Sequence, residues 1–446
     1  ELIISVSGLR GVVGETLTPA VATRYVEAFA AELPLGPVVI GRDGRASGPA
    51  LAQAIGGALA RLGREVLDAG PAATPTVGVL IRDLKAAGGV QISASHNPPQ
   101  YNGLKLFSAA GRVIPAVEGE RVLQRYREAP LASSNSAAGA RRSIADATAA
   151  HLRLIESVCD VDRIRARKFR VVLDANHGAG AVLGRRLLER LGCDAVVLGE
   201  TPDGQFAHPP EPTAANLATV FEEVGKNRAA IGFCQDPDAD RLAIIDERGR
   251  YVGEEYTLAL CVDHVLRQRK GPVVTNCSTS RMAEDLARKY GVPFFRSKVG
   301  EANVVDLMLR ENAVIGGEGN GGAIDPRVVL VRDSFVGMAL VLDAMAARAM
   351  SVSELAAELP RYAIHKTAIT VPPEHMAPGL DALERHFADA RGDRLDGLRL
   401  DWPDGAWLLV RPSNTEPIVR AIAEAPTPEA AQRLSTEAAA TLTANV

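Results

Sequence analysis

Phe169-Arg-Val-Val-Leu-Asp174, a glycine-bearing turn over 175–180, an amphipathic stretch Val182–Leu191, then Gly192 and Asp194-Ala-Val-Val-Leu198 read as strand, loop, helix and strand. The β-branched runs have strand character, the longer segment repeats its apolar residues at helical spacing, and the glycine marks the helix end. The same pattern starts at Pro37, with helix Pro49–Leu62, Gly63 and strand Glu65–Asp68, and again at Pro272, with helix Arg281–Tyr290, Gly291 and strand Val292–Phe295. Strands that alternate with helices imply mixed or parallel sheets covered by helices, so the chain predicts three consecutive α/β domains of related topology. Beyond Pro360 the pattern changes to Ala363–Val371, a helix over Gly379–Asp389, strands Leu398–Trp402 and Ala406–Val410, and a last helix from Thr427. That piece predicts a smaller α+β domain. The Ala/Ser-rich stretch Pro130–Arg142 reads as a linker or a frayed helix end. The expected domains are 1–143, 144–247, 248–359 and 360–446.

With 446 residues and 47% hydrophobic content the chain can bury several cores. A net charge of −4 with mixed signs offers no basic face, and 4% aromatic residues leave few stacking platforms, which argues against nucleic acid. No apolar run reaches the roughly 20 residues of a membrane span, and no secretory leader is visible. The five cysteines are scattered without a C-x-x-C pair, which predicts reduced thiols and a cytoplasmic setting.

Four motifs carry chemistry. Residues 91–107 run from a short strand through Ser93-Ala-Ser-His-Asn-Pro-Pro99 and return at Lys105; the prolines stiffen a turn that presents Ser95, although by itself the stretch also reads as a plain surface turn. Asp236-Pro-Asp-Ala-Asp-Arg241 sets three carboxylates at alternate positions between apolar strands Ala229–Phe233 and Leu242–Ile245. Such crowding suits a divalent cation with hard oxygen ligands, Mg²⁺ above all, with a plain acidic hairpin turn as the alternative. An EF-hand is excluded, because its glycine and glutamate places hold Arg241 and Glu247. Gly317-Glu-Gly-Asn-Gly-Gly322 matches a dinucleotide fingerprint in form only: Ala323-Ile-Asp-Pro326 follows where a helix should open. A loop exposing Glu318 and Asn320 suits sugar hydroxyls better. Arg411-Pro-Ser-Asn-Thr-Glu-Pro417 offers a guanidinium and small donors that suit a phosphate, although Ser-Asn-Thr is also turn and cap chemistry. Ser7-Gly-Leu-Arg-Gly11 and Arg42-Asp-Gly-Arg45 read as surface arginines. The histidines show no zinc spacing and no Walker A loop is present, which disfavours a nucleotide-using kinase.

In order and over nearly the whole chain, these motifs resemble the α-D-phosphohexomutase family, which includes phosphoglucosamine mutase, phosphomannomutase and phosphoglucomutase. The resemblance implies three similar α/β domains and a smaller fourth around a central cleft. It implies that Ser95 carries a phosphoryl group, that Asp236, Asp238 and Asp240 hold one Mg²⁺ against it, and that a sugar 1,6-bisphosphate is both intermediate and activator. Arg10, His96, Lys105 and Arg241 would surround the reacting oxygens, with Lys105, its pKa lowered, as candidate acid/base. Glu318 and Asn320 would hold sugar hydroxyls, and Arg411, Ser413, Asn414 and Thr415 the phosphate that is not transferred. Two departures stand out: the sugar loop ends Asn320-Gly-Gly322 where several members have Ser-Gly-His, and Val299-Gly-Glu301 lacks a histidine that some carry. The expected activity is interconversion of hexose 1- and 6-phosphates, with phosphoglucosamine mutase first and phosphomannomutase/phosphoglucomutase as the alternative. A serine-dependent sugar phosphatase and a silent sugar-phosphate binder are remoter readings. The expected partners are hexose phosphates, with no nucleic acid or membrane, for a monomer or homodimer.

Overall fold

The computed structural model describes residues 2–5, 8–128, 138–412 and 418–444. Its first three sheets share one plan. In the first, strand Val38–Arg42 lies parallel to Val66–Pro71 on one side and to Gly88–Ile92 on the other, and Gly88–Ile92 turns back antiparallel into Tyr101–Ser108. The second repeats this with Arg170–Asp174 between Asp194–Leu198 and Ile231–Gln235, the latter returning as Leu242–Asp246. The third places Val273–Asn276 between Phe294–Ser297 and Ile315–Glu318, returning as Gly322–Ile324. The helices Gly48–Arg61, Gly180–Arg190 and Met282–Tyr290 occupy the expected crossovers. Thus the chain has the predicted three α/β domains with mixed sheets.

This repetition places the site. In each domain the parallel part of the sheet ends in an antiparallel return, and that return is the motif loop: 93–100, 236–241 and 319–321; the first sheet goes on beyond it with the antiparallel strands Gly8–Val12 and Ile3–Ser5. The fourth sheet, Ala363–Ile369, Val419–Ala425, Trp407–Pro412, Leu398–Asp401 and Arg391–Asp393, is antiparallel throughout. Its motif also falls between paired strands, Trp407–Pro412 and Val419–Ala425.

The helix Ser334–Arg348 runs through the middle of the molecule and is buried from Ser334 to Ala346. A helix apolar on every side must be enclosed. Phe335, Val336 and Leu340 share one continuous core with Val77 and Ile81 of the first domain and Ile155, Leu183 and Leu187 of the second. The fourth domain keeps its own core around Leu383, Leu408 and Ala438. It meets the third through a small cluster of Cys277, Trp407, Leu409 and Ile422 and through polar bonds, Arg399 to the Cys277 carbonyl at 2.5 Å and Val299 N–H to Asp396 at 2.9 Å.

Three expectations change. Arg141–Ser143, inside the expected linker, forms an edge strand parallel to Val66–Pro71, while 129–137 lies outside the described residues. Strand Val419–Ala425 was not expected, because its alanines favour helix and only the pairing on both sides makes it a strand. The helix expected at Gly379 begins at Pro373 and ends at His386.

Phe335→Ala removes a ring at the junction of three domains and should cost about 3–5 kcal/mol in denaturant unfolding; a loss under ~1 kcal/mol would contradict a shared core.

Candidate active site

The serine loop is an interior structure. Ser95 is 1% exposed and left-handed at φ 50°, a costly backbone for a residue with a Cβ. The Arg45 guanidinium holds it there by donating to the carbonyls of Ser95 (2.8 Å), Asn97 (2.6 Å), Pro98 (2.7 Å) and Tyr101 (2.9 Å), with its Nε on Asp43 at 3.1 Å. Asp43 also accepts from the Ser93 hydroxyl (2.7 Å), which in turn accepts the Ser95 N–H (2.8 Å). The expectation that Arg45 is a surface arginine is therefore wrong: it is 2% exposed, and only the tertiary fold brings the loop's carbonyls around it. Arg10 likewise turns inward, to the Asn97 side-chain oxygen at 3.0 Å.

The carboxylate loop meets the serine directly. Ser95 Oγ donates to Asp236 Oδ2 at 2.8 Å, and Asp236 Oδ1 accepts the N–H groups of Asp240 and Arg241, both at 3.1 Å. Asp238 accepts from Thr74 Oγ1, at the start of helix Thr74–Asp83, and from Lys105 Nζ at 2.6 Å. Lys105 also reaches Asp240 at 2.8 Å. Ala239, at the loop's tip, is left-handed like Ser95, and its carbonyl is held by the Ser334 hydroxyl at 2.7 Å. All three aspartates are fully buried, with donor oxygens within 4.8 Å of one another. Asp238 Oδ1 and Asp240 Oδ1 are buried and have no hydrogen-bond partner among the described residues. Oxygen-only donors with two orphaned carboxylate atoms fit a divalent cation.

Burial, then the neighbouring Asp240 and Asp238, pushes the Asp236 carboxyl well above the usual range. Burial acts the same way on Asp240, but Arg332 and Lys105 outweigh it and hold that carboxyl low. His96, with Nδ1 3.4 Å from Ser95 Oγ, is pushed down to about 2 by burial and by Arg241 and Arg10, so it stays neutral. The lowered pKa expected of Lys105 is not found: burial opposes its charge, yet Asp238 and Asp240 override it and the ammonium is stabilised.

The sugar-loop motif stands against this cluster. Gly321, at φ +83°, lies so close to Leu242 that a Cβ would meet its carbonyl oxygen at 2.1 Å. Glu318, expected to be exposed, is 5% exposed: Oε1 accepts from Asn276 (2.8 Å) and Gly300 N–H (3.3 Å), Oε2 from Arg332 (2.9 Å). Asn320 is half-buried, and its Oδ1 has no partner among the described residues. In the fourth domain Arg411 is buried and pairs with Asp396 at 2.9 Å; Ser413, Asn414 and Thr415 lie outside the described residues.

Four contributors escaped the sequence: Arg45, Thr74, Arg332 and the segment 201–212, which lays Phe206 5.2 Å from the Arg45 guanidinium and Glu211 3.3 Å from Arg241. None belongs to a motif. His208 anchors that segment, donating from Nε2 to Asp174 at 2.7 Å.

The comparisons agree with this geometry. Models of phosphoglucomutase/phosphomannomutase domains match in order, alpha/beta/alpha domain I at 2–132, II at 149–249 and III at 254–362, and the C-terminal domain at 370–441. A protein of Thermococcus kodakarensis named phosphoglucomutase/phosphomannomutase is 37% identical over 440 residues, 95% of each chain. One of Methanopyrus kandleri named probable phosphoglucosamine mutase is 33% identical, with 97% of this chain and 95% of its own covered. The crystal structure of a phosphoglucomutase/phosphomannomutase family protein from Burkholderia thailandensis superposes with a TM-score of 0.84 at 27% identity, covering 99% of this chain and 98% of its own. The chain belongs to the phosphoglucomutase/phosphomannomutase family and is an enzyme of the phosphohexomutase class.

Arg45→Lys keeps the charge but cannot reach four carbonyls. Turnover should fall roughly a hundredfold, and amides of 95–102 should exchange faster with solvent; unchanged exchange would refute the clamp. For His208, burial opposes the charge but Asp174 more than offsets it, so the folded pKa lies above that of an ordinary histidine. A group raised on folding stabilises fully below its unfolded pKa and less as pH climbs through the folded one. Stability should thus decline above about pH 6.5 in the native chain, and His208→Gln should remove that decline in denaturant unfolding measured from pH 5.5 to 8.5.

Proposed function

We propose that the chain interconverts hexose 1- and 6-phosphates, with glucosamine phosphate as the preferred substrate, through a phosphoryl group carried on Ser95. The observation that carries this reading is the Ser95 hydroxyl, 2.8 Å from Asp236 at the edge of three buried carboxylates. Asp236, Asp238 and Asp240 would hold one Mg²⁺, and the bound cation supplies charge neutralisation next to a phosphoserine. Lys105, Arg10 and Arg241 add fixed positive charge around the same oxygens.

In one half-reaction the bond between phosphorus and Ser95 Oγ breaks while phosphorus bonds to the free hydroxyl of a sugar monophosphate. In the other, Ser95 Oγ takes the opposite phosphate back, and the bisphosphate between them also primes unphosphorylated enzyme. In each half-reaction the attacking hydroxyl gives up its proton and the departing oxygen takes one up, and neutral His96, with Nδ1 3.4 Å from Ser95 Oγ, stands where it can carry that proton. With its stabilised charge, Lys105 acts as a cation, holding Asp238 and Asp240, rather than as a neutral base. Glu318 supplies a carboxylate acceptor and Asn320 a side-chain carbonyl acceptor for sugar hydroxyls, and Arg411, with Ser413, Asn414 and Thr415, binds the phosphate that stays. Support for the glucosamine preference comes from the Methanopyrus relative; the Thermococcus one supports mannose and glucose phosphates as the alternative.

The test incubates the enzyme with glucosamine-, mannose- and glucose-1-phosphate, Mg²⁺ and a trace of sugar bisphosphate, following 6-phosphate product and free phosphate. Glucosamine 6-phosphate should dominate, with little free phosphate; release of phosphate alone would mean a phosphatase. Ser95→Ala should lower turnover on the order of a thousandfold or more, and the lost bond to buried Asp236 should cost about 1–3 kcal/mol of stability without unfolding the chain.

A further inference from the structure

Arg332 stands just before the long central helix, in no motif, yet its guanidinium is the meeting point of the site. Nη2 donates to Asp240 Oδ2 at 2.6 Å, Nη1 to Glu318 Oε2 at 2.9 Å and Nε to Glu301 Oε2 at 2.8 Å. Its own N–H adds a bond to Glu301 at 3.2 Å. One planar group thus serves three carboxylates from three segments: the aspartate loop, the sugar loop and the start of helix Glu301–Glu311.

The two places where the sequence departs from the family pattern are both built around this side chain. A Cβ on Gly322 would sit 2.4 Å from Arg332 Cδ, so the arginine passes only because no side chain stands there. Glu301, in place of a histidine, supplies the third carboxylate. The three donations are shared from one cation. When Glu318 or Glu301 loses its hold, the guanidinium is left to Asp240, whose Oδ2 already accepts from Lys105 while Oδ1 has no partner among the described residues.

We propose that Arg332 is a positioning residue that couples the sugar loop to the carboxylate loop, so that whatever engages Glu318 changes how strongly Asp236, Asp238 and Asp240 hold a divalent cation. The inference rests on the reading of those aspartates as the metal site. It gives the enzyme a link between sugar engagement and metal affinity that runs through one side chain and is reciprocal.

The test measures Mn²⁺ binding to the full-length enzyme, without substrate, by titration calorimetry and electron paramagnetic resonance. Glu318→Gln should weaken Mn²⁺ binding roughly fivefold, because Arg332 then draws more strongly on Asp240. In an Arg332→Lys background, where an ammonium cannot span the carboxylates, the same Glu318→Gln change should shift the Kd less than about twofold. Glu301→Gln, in the native background, should weaken Mn²⁺ binding in the same direction, so the coupling is tested even where Arg332→Lys fails to fold. An equal effect of Glu318→Gln in both backgrounds, or none from either glutamate variant, overturns the coupling alone. Absence of Mn²⁺ binding to the unaltered enzyme overturns the metal reading and this one with it.

Discussion

Three aspartates buried within five residues are the constraint around which this molecule is organised. Taking a carboxylate out of water costs several kcal/mol unless charges and hydrogen bonds replace the lost hydration. The loop itself supplies the Asp240 and Arg241 N–H groups and the charge of the Arg241 guanidinium. The rest arrives from elsewhere: Thr74, Ser95 and Lys105 from the first domain, Arg332 and Ser334 from the segment leading into the central helix. The carboxylate loop is thus satisfied only when three domains are docked, and the shared apolar core around Phe335 fixes that docking.

The repeated topology explains how three domains can each deliver one loop to one place. In every α/β unit the strand pair that turns back on itself carries the chemistry, and two of those returns hold a left-handed non-glycine residue, Ser95 and Ala239. Such strain persists where surrounding bonds overdetermine it. Arg45 does this for the serine loop and the Ser334 hydroxyl for Ala239. Rigid loops on a rigid core fit a phosphoryl transfer in which positioning and charge do most of the work. The fourth domain is different in kind. Its core is separate, and its junction with the third is a small apolar cluster with polar bonds.

Much of the fold was legible because its signals are local. The β-branched runs at Val38, Val171 and Val273, each followed by a helix and a glycine, specify strand–helix–strand units without reference to the rest of the chain. The strand Val419–Ala425 was not legible, since alanines become a strand only between two partners. The grouping of Asp236, Asp238 and Asp240 in one short turn was legible for a similar reason, and the structure brings Ser95 against it, whereas the burial of Glu318 was not legible.

What the sequence alone determined is the order of the α/β units and the identity of the motif loops, because period and turn chemistry act over a few residues. What tertiary structure decided is which charges complete the site. Arg45, Thr74 and Arg332 carry no local pattern, and the sign of the Lys105 shift depends on Asp238 and Asp240, distant in sequence but 2.6 and 2.8 Å away in space. Electrostatic partners act across space, and a chain read along its length shows neighbours only in sequence.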